Sequence, residues 1–130
     1  MGFYVNSVVI PLYKDFSALY RDKLNFVGNY NVPLSWRNQY CGVFTCVENG
    51  VTYYFIDNEY YFNRPSLYGS FDDGERFAFF GKAVMYLMMH SGFIPDIVHA
   101  NDWQSALTVI YNKLYYKYPG MKTIYTIHNI

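Results

Sequence analysis

"DIVHANDWQSALTVIY", residues 96–111, is the stretch whose reading decides the fold. Ile97-Val98 opens a short apolar run, and His99-Ala100-Asn101-Asp102-Trp103 follows it. After Trp103 the apolar residues recur at helical spacing, so Ala106, Leu107, Ile110 and Leu114 are expected to face inward. That helix is expected to run to about Lys117, with Pro119-Gly120 breaking it. "KTIYTI", residues 122–127, reads as a second strand. Both strands are short, continuous and apolar, the pattern of parallel strands buried on both faces. Strand, helix, strand in this order makes a βαβ unit, and the expected fold class is α/β.

Parallel strands joined by a right-handed crossover put both carboxyl ends on one edge of the sheet. Asn101 and Asp102 lie past the first strand; His128 and Asn129 lie past the second. An acid, an imidazole and two amides are therefore expected to converge at the edge where open α/β sheets bind ligands. A local reading is available for each. Asp102 or Asn101 can cap the following helix, and His128 can simply end a strand. Capping and ligand contact are not exclusive. No G-x-G-x-x-G, phosphate-cradling P-loop or G-x-S-x-G elbow is present, so neither mononucleotide binding nor a hydrolase triad has a motif behind it.

Working outward, "DGERFAFFGKAVMYLMMHS" (73–91) reads as a helix. Asp72 or Asp73 can cap it, and Gly92 sits where a left-handed C-cap residue belongs. Phe77, Phe80, Val84, Leu87 and Met88 share one face, while Phe79, Ala83 and Tyr86 make the flank apolar too. A helix apolar over most of its circumference is covered on two sides. "NSVVIPLY" (6–13) reads as a buried strand ending at or just after Pro11, and "KDFSALYRDKLNF" as a short helix or irregular segment. "GVFTCVENG" (42–50) and "VTYYFIDN" (51–58) read as strands joined at Asn49-Gly50, a strong two-residue hairpin signal. Residues 59–74, rich in Pro, Gly, Asn and Asp, read as a long loop.

The bulk properties exclude several classes. The chain has 130 residues, 52% hydrophobic and 15% charged, with Lys+Arg and Asp+Glu balanced at 10 each. That balance argues against nucleic acid and anionic membrane surfaces as partners. No apolar run is long enough to span a bilayer, and the start carries no secretory pattern. Met1-Gly2 does not complete a myristoylation signal, because position 6 is Asn. Cys41 and Cys46 stand without a Cys or His cluster, so reduced cytosolic thiols and no metal are expected. The aromatic share, 22%, suits stacking on sugars but equally suits core filling.

The residues resemble a known family, the bacterial glycogen synthases and plant starch synthases (glycosyltransferase family 5). "PDIVHANDWQSAL" is similar to their P-D-[IV]-[IV]-H-x-H-D-W-H, and "KTIYTIHNI" to their strand ending in T-[IV]-H-N-[LI]. "RPSLYGSFDDGERFAFFGKAVM" resembles R-P-x-x-Y…D-N-x-x-R-F-x-x-F, and "YVNSVVIPLY" resembles V-x-V-[VI]-x-P-x-Y. Four motifs stand in the family's order across nearly the whole chain. The resemblance implies a GT-B glycosyltransferase with two Rossmann-like domains facing a cleft. It implies glucose transfer from ADP-glucose to the non-reducing end of an α-1,4-glucan acceptor, with retention and without a cofactor or metal. On this resemblance Asp102 and His128 are the implied catalytic residues. Tyr68, Trp103, Asn129 and Asn101 are the implied substrate-binding ones, and Arg76 is structural. A cytoplasmic enzyme is implied.

The departures set further expectations. Asn101 and Gln104 stand where the family usually has His, and Asp73 where it usually has Asn. Neutral amides keep hydrogen-bonding capacity but lose titratable character. Residues 1–130 are expected to form a single partial Rossmann-like domain with an added β-hairpin. The family's first strand, its K-x-G-G-L loop and its C-terminal domain with the donor-binding residues are expected outside it. Such a stretch alone carries part of a site and little or no transferase activity. A sheet lacking its first strand has an open edge, which favours self-association. The alternative is a non-catalytic glucan-binding or protein-interaction module derived from the same domain.

Overall fold

The computed structural model describes residues 6–129, apart from the Ser17 side chain. Met1-Gly2, the first two residues of the 4–13 motif and Ile130 at the end of the 122–130 motif lie outside them. The chain divides into two compact units, Met1–Ser70 and Phe71–Ile130. The architecture is mixed α/β, with parallel strand pairing in each unit. Among the described residues no helix is long and apolar enough to cross a membrane.

The first unit is built on a four-stranded sheet. Its strands are β1 (Ser7–Pro11), β2 (Asn25–Leu34), β3 (Arg37–Glu48) and β4 (Val51–Asp57), in the order β1-β4-β3-β2. β1 runs parallel to β4; the other pairs are antiparallel. Pro11 ends β1 as expected. Helix α1 (Lys14–Tyr20) follows it and stacks Phe16 on Phe55 of β4, with ring centroids 4.6 Å apart. Asn49 and Gly50 both adopt positive φ, 52° and 77°, as the β3–β4 hairpin requires.

β2 is the element that the sequence reading passed over. Three asparagines, Gly28 and Pro33 lower its apparent strand propensity. It forms because it lies at the sheet edge, where a proline and a bulge between Phe26 and Gly28 are tolerated. Its turn, Ser35-Trp36, has positive φ at Ser35, where glycine is usual, so it gave no turn signal. The expected loop 59–74 also needs correcting, since it begins with a helical turn, α2 (Glu59–Phe62). Asn58 caps that turn: its Oδ1 accepts from the Tyr61 N–H at 3.0 Å, and its Nδ2 donates to the Tyr40 carbonyl at 2.8 Å. The second bond ties the turn to β3.

Val32, Cys41, Val43, Phe55, Ile56, Tyr61 and Phe62 make the buried core of this unit. Both cysteines are free thiols. Burial pushes the Cys41 thiol up to about 12, against a lowering hydrogen bond from Tyr30.

The second unit contains α3 (Asp73–Ser91), β5 (Ile97–Asn101), α4 (Ala106–Tyr111) and β6 (Lys122–Thr126). Helix α3 ends at Gly92 with φ 71°, the left-handed cap expected. At its start Asp72 holds the N-cap position without a side-chain cap hydrogen bond, correcting the capping expectation. The Asp73 carboxylate instead meets the Arg76 guanidinium at 2.7 Å. Buried residues, Phe77, Phe79, Phe80, Ala83, Val84, Met85, Leu87 and Met88 among them, run most of the way round α3.

Helix α4 packs on α3 at Gly81. A Cβ there would lie 3.0 Å from the Thr108 nitrogen and 3.3 Å from the Leu107 carbonyl carbon. That close approach sets the phase of α4 and overturns the expected inward face. Thr108 and Asn112 are buried, whereas Ile110 and Leu114 are 45% and 60% exposed. The helix also departs from a single period. It opens with a 3-10 turn, Trp103–Ser105, and closes with a π turn, Asn112–Tyr116. Asn112 tolerates burial because its Oδ1 accepts from the Tyr118 N–H at 3.1 Å.

β5 and β6 are parallel, as the βαβ reading requires. They are not covered on both faces, however. Ala100 is buried, while Ile97, Ile124 and Tyr125 are exposed. A two-stranded sheet has one helix layer here and little else to bury against.

Candidate functional site

The parallel register makes the two strands finish level, with Asn101 opposite Thr126. Past this point the chain turns sharply in both strands. Asp102 adopts φ 62° and ψ 177°, a region almost reserved for glycine. A non-glycine residue held there costs on the order of 1–3 kcal/mol, so the surroundings must enforce it.

Four hydrogen bonds do so. The Asp102 N–H donates to the Thr126 carbonyl at 2.9 Å. The Ser105 hydroxyl donates to the Asn101 carbonyl at 2.6 Å and reaches the Asp102 carbonyl at 3.2 Å. The Ser105 N–H donates to the Asp102 carbonyl at 3.2 Å. Ser105 therefore closes the turn that opens the helix. No sequence reading singled it out, although a serine four residues past a strand end is a recognisable local bonding pattern.

Asp102 does not cap the helix. Its side chain makes no cap hydrogen bond, and its Oδ1 accepts from the His128 N–H at 2.6 Å. His128 in turn places Nε2 3.0 Å from the Asn101 Oδ1. The edge expected from topology is thus assembled: Asn101, Asp102 and His128 touch one another directly. Asn129 comes next in the chain and is exposed. One register step inside the edge, His99 Nε2 lies 2.7 Å from the Thr126 hydroxyl, a second polar pair that the sequence reading left out.

Trp103 is 47% exposed. Its ring meets Phe77 edge-on, with centroids 5.0 Å apart. Phe77 in turn lies under the Arg76 guanidinium, 5.2 Å from its ring centroid. Arg76 is fully buried, which agrees with a structural role. Tyr68 belongs to the first unit and is exposed in the loop after α2. Among the described residues, no group of three or more His, Cys, Asp or Glu side chains is placed to hold a metal ion. The edge thus presents a carboxylate, an imidazole, amides and a partly exposed indole. Such a set suits the hydroxyls and apolar faces of a sugar.

Residues 2–130 match the family model for the starch synthase catalytic domain. The chain belongs to this family. The glycogen synthase of Lactobacillus acidophilus is 52% identical over 127 residues, covering 95% of this chain and 27% of that protein. The glycogen synthase of Clostridium beijerinckii is 50% identical over 128 residues, with the same coverage. Among solved structures, the catalytic domain of starch synthase IV from Arabidopsis thaliana, bound to ADP and acarbose, superposes with a TM-score of 0.79. It is 26% identical, covering 95% of this chain and 26% of that one. The chain spans about a quarter of the length of the relatives that it matches. All four motifs that carried the resemblance to glycogen and starch synthases lie within the matched residues.

Proposed function

We propose that this starch synthase family chain supplies the acceptor-side portion of a glycogen synthase. That enzyme transfers glucose from ADP-glucose to the non-reducing end of an α-1,4-glucan, with retention. The observation that carries the reading is the direct contact of Asn101, Asp102 and His128 at the carboxyl edge of a parallel strand pair. The Arabidopsis relative, bound to ADP and acarbose, supports the substrate class.

In this reading His128 hydrogen-bonds a hydroxyl of the transferred glucose and helps the developing charge. Asp102 holds the His128 backbone in place through its carboxylate. Asn101 and Asn129 offer neutral donors and acceptors, and Trp103 an apolar face for a sugar ring. Tyr68 contacts the acceptor from its loop. The donor phosphates are held by residues of the C-terminal domain, and no metal or cofactor is required. The whole protein acts in the cytoplasm. The chain alone binds saccharide without transferring it.

Tryptophan fluorescence tests this. Trp36, 85% exposed in the first unit, is replaced by Phe so that Trp103 alone reports. Titration with a maltooligosaccharide is expected to give a saturable change that Asp102→Ala abolishes. A flat trace from a folded sample would sink the reading.

A further inference from the structure

The bonding at the strand ends goes one step further than a cluster of polar residues. His128 is gripped from two sides. Its backbone N–H is fixed by Asp102 Oδ1 at 2.6 Å, and the strand just before it is fixed by the Asp102 N–H to the Thr126 carbonyl. With the backbone held, the imidazole retains only its side-chain rotations. Its Nε2 then sits 3.0 Å from Asn101 Oδ1. An amide oxygen only accepts, so this contact requires a proton on Nε2. A histidine, which the family pattern carries at position 101, could give or take that proton. Asparagine makes the pair directional.

We propose that Asn101 is a positioning residue. It commits the Nε2–H of His128 to the protein and leaves Nδ1 as the ring nitrogen available to a sugar hydroxyl. The sugar part of this statement rests on the function proposed above; the tautomer does not. Asn101 thereby sets which nitrogen of His128 does the recognition, a role distinct from touching the substrate itself.

Long-range 15N–1H spectra of the labelled chain, without sugar, resolve the tautomers of His90, His99 and His128. Neutral His128 is expected wholly as Nε2–H. Asn101→Ala is expected to give a mixture of tautomers. Asn101→Asp keeps an acceptor and adds a second carboxylate beside the one that Asp102 already presents. It is expected to retain Nε2–H. A predominant Nδ1–H form in the unaltered chain overturns the proposal. So does an Asn101→Asp variant that loses the Nε2–H form, and neither result depends on Asn101→Ala folding. A failed saccharide titration would leave these spectra unchanged, so the two readings fail separately.

Discussion

Two aspartates stand at the carboxyl ends of strands, Asp57 closing β4 and Asp102 just past β5. Each is locally unfavourable, in a different way. Asp57 sits in ordinary extended backbone, but burial and the neighbouring Glu59 push its carboxyl above the usual carboxylate range. Asp102 has its carboxylate filled by a backbone N–H, but its own backbone is forced to φ 62°. One cost is electrostatic and the other conformational. The comparison teaches that the Asp102 carboxylate supplies a bond no glycine could make, although a glycine would adopt the turn with less strain.

The largest test removes what lies beneath the Asp102 turn. Phe77→Ala deletes the ring that supports Trp103 and covers Arg76. By analogy with other buried aromatics it should cost about 3–5 kcal/mol in denaturant unfolding, with Trp103 emission moving toward that of a solvated indole. If stability fell by well under 1 kcal/mol, the turn would not be held from below.

Next come two replacements of Asp102 itself. Asp102→Ala loses the bond to His128 and keeps the strained backbone, so a loss of about 1.5–3 kcal/mol is expected. Asp102→Gly loses the same bond and relieves the strain, so it should be more stable than Asp102→Ala by about 1–2 kcal/mol. Both should abolish saccharide binding. Equal stability of the two variants would remove the conformational half of the comparison.

The smallest effect concerns Asp57 and pH. A folded pKa raised above the unfolded value means the native chain holds its proton more tightly. The associated stability is fully present below about pH 4 and is lost as pH rises through the raised value. Asp57→Asn should therefore be slightly more stable than the unaltered chain at pH 7, with the difference vanishing near the acid limit. Thermal unfolding at several pH values reads this directly. A variant less stable at pH 7 would show that the Asp57 carboxylate is well solvated or paired.

Much of this fold was legible because its signals are local. Asn49-Gly50 states its turn outright, Gly92 states the end of α3, and the alternation of apolar run and helical pattern from Ile97 to Thr126 states the βαβ unit. From that topology the meeting of Asn101, Asp102 and His128 followed. What stayed hidden depends on tertiary context. β2 is a strand by virtue of its edge position, against the propensity of its asparagines. The inward face of α4 is set by the bare backbone of Gly81, whose absent side chain carries no hydrophobic signal. The helix also changes from 3-10 to α to π, so a 3.6-residue template drifts off its true face. Ser105 and Thr126 went unread because their partners are a backbone carbonyl and another strand's imidazole.

The strand pair β5–β6 has almost no core of its own, and short ribbons of that kind normally fray from their tips. Here both tips are fastened. The Lys122 N–H donates to the Asp96 carbonyl at one end, and the Asp102 N–H and carboxylate engage Thr126 and His128 at the other. Fraying therefore has no easy place to begin. Amide exchange along Val98–Ala100 and Thr123–Tyr125 should proceed through one concerted opening, in which the Asn101–Asp102–His128 cluster and the ribbon are lost together.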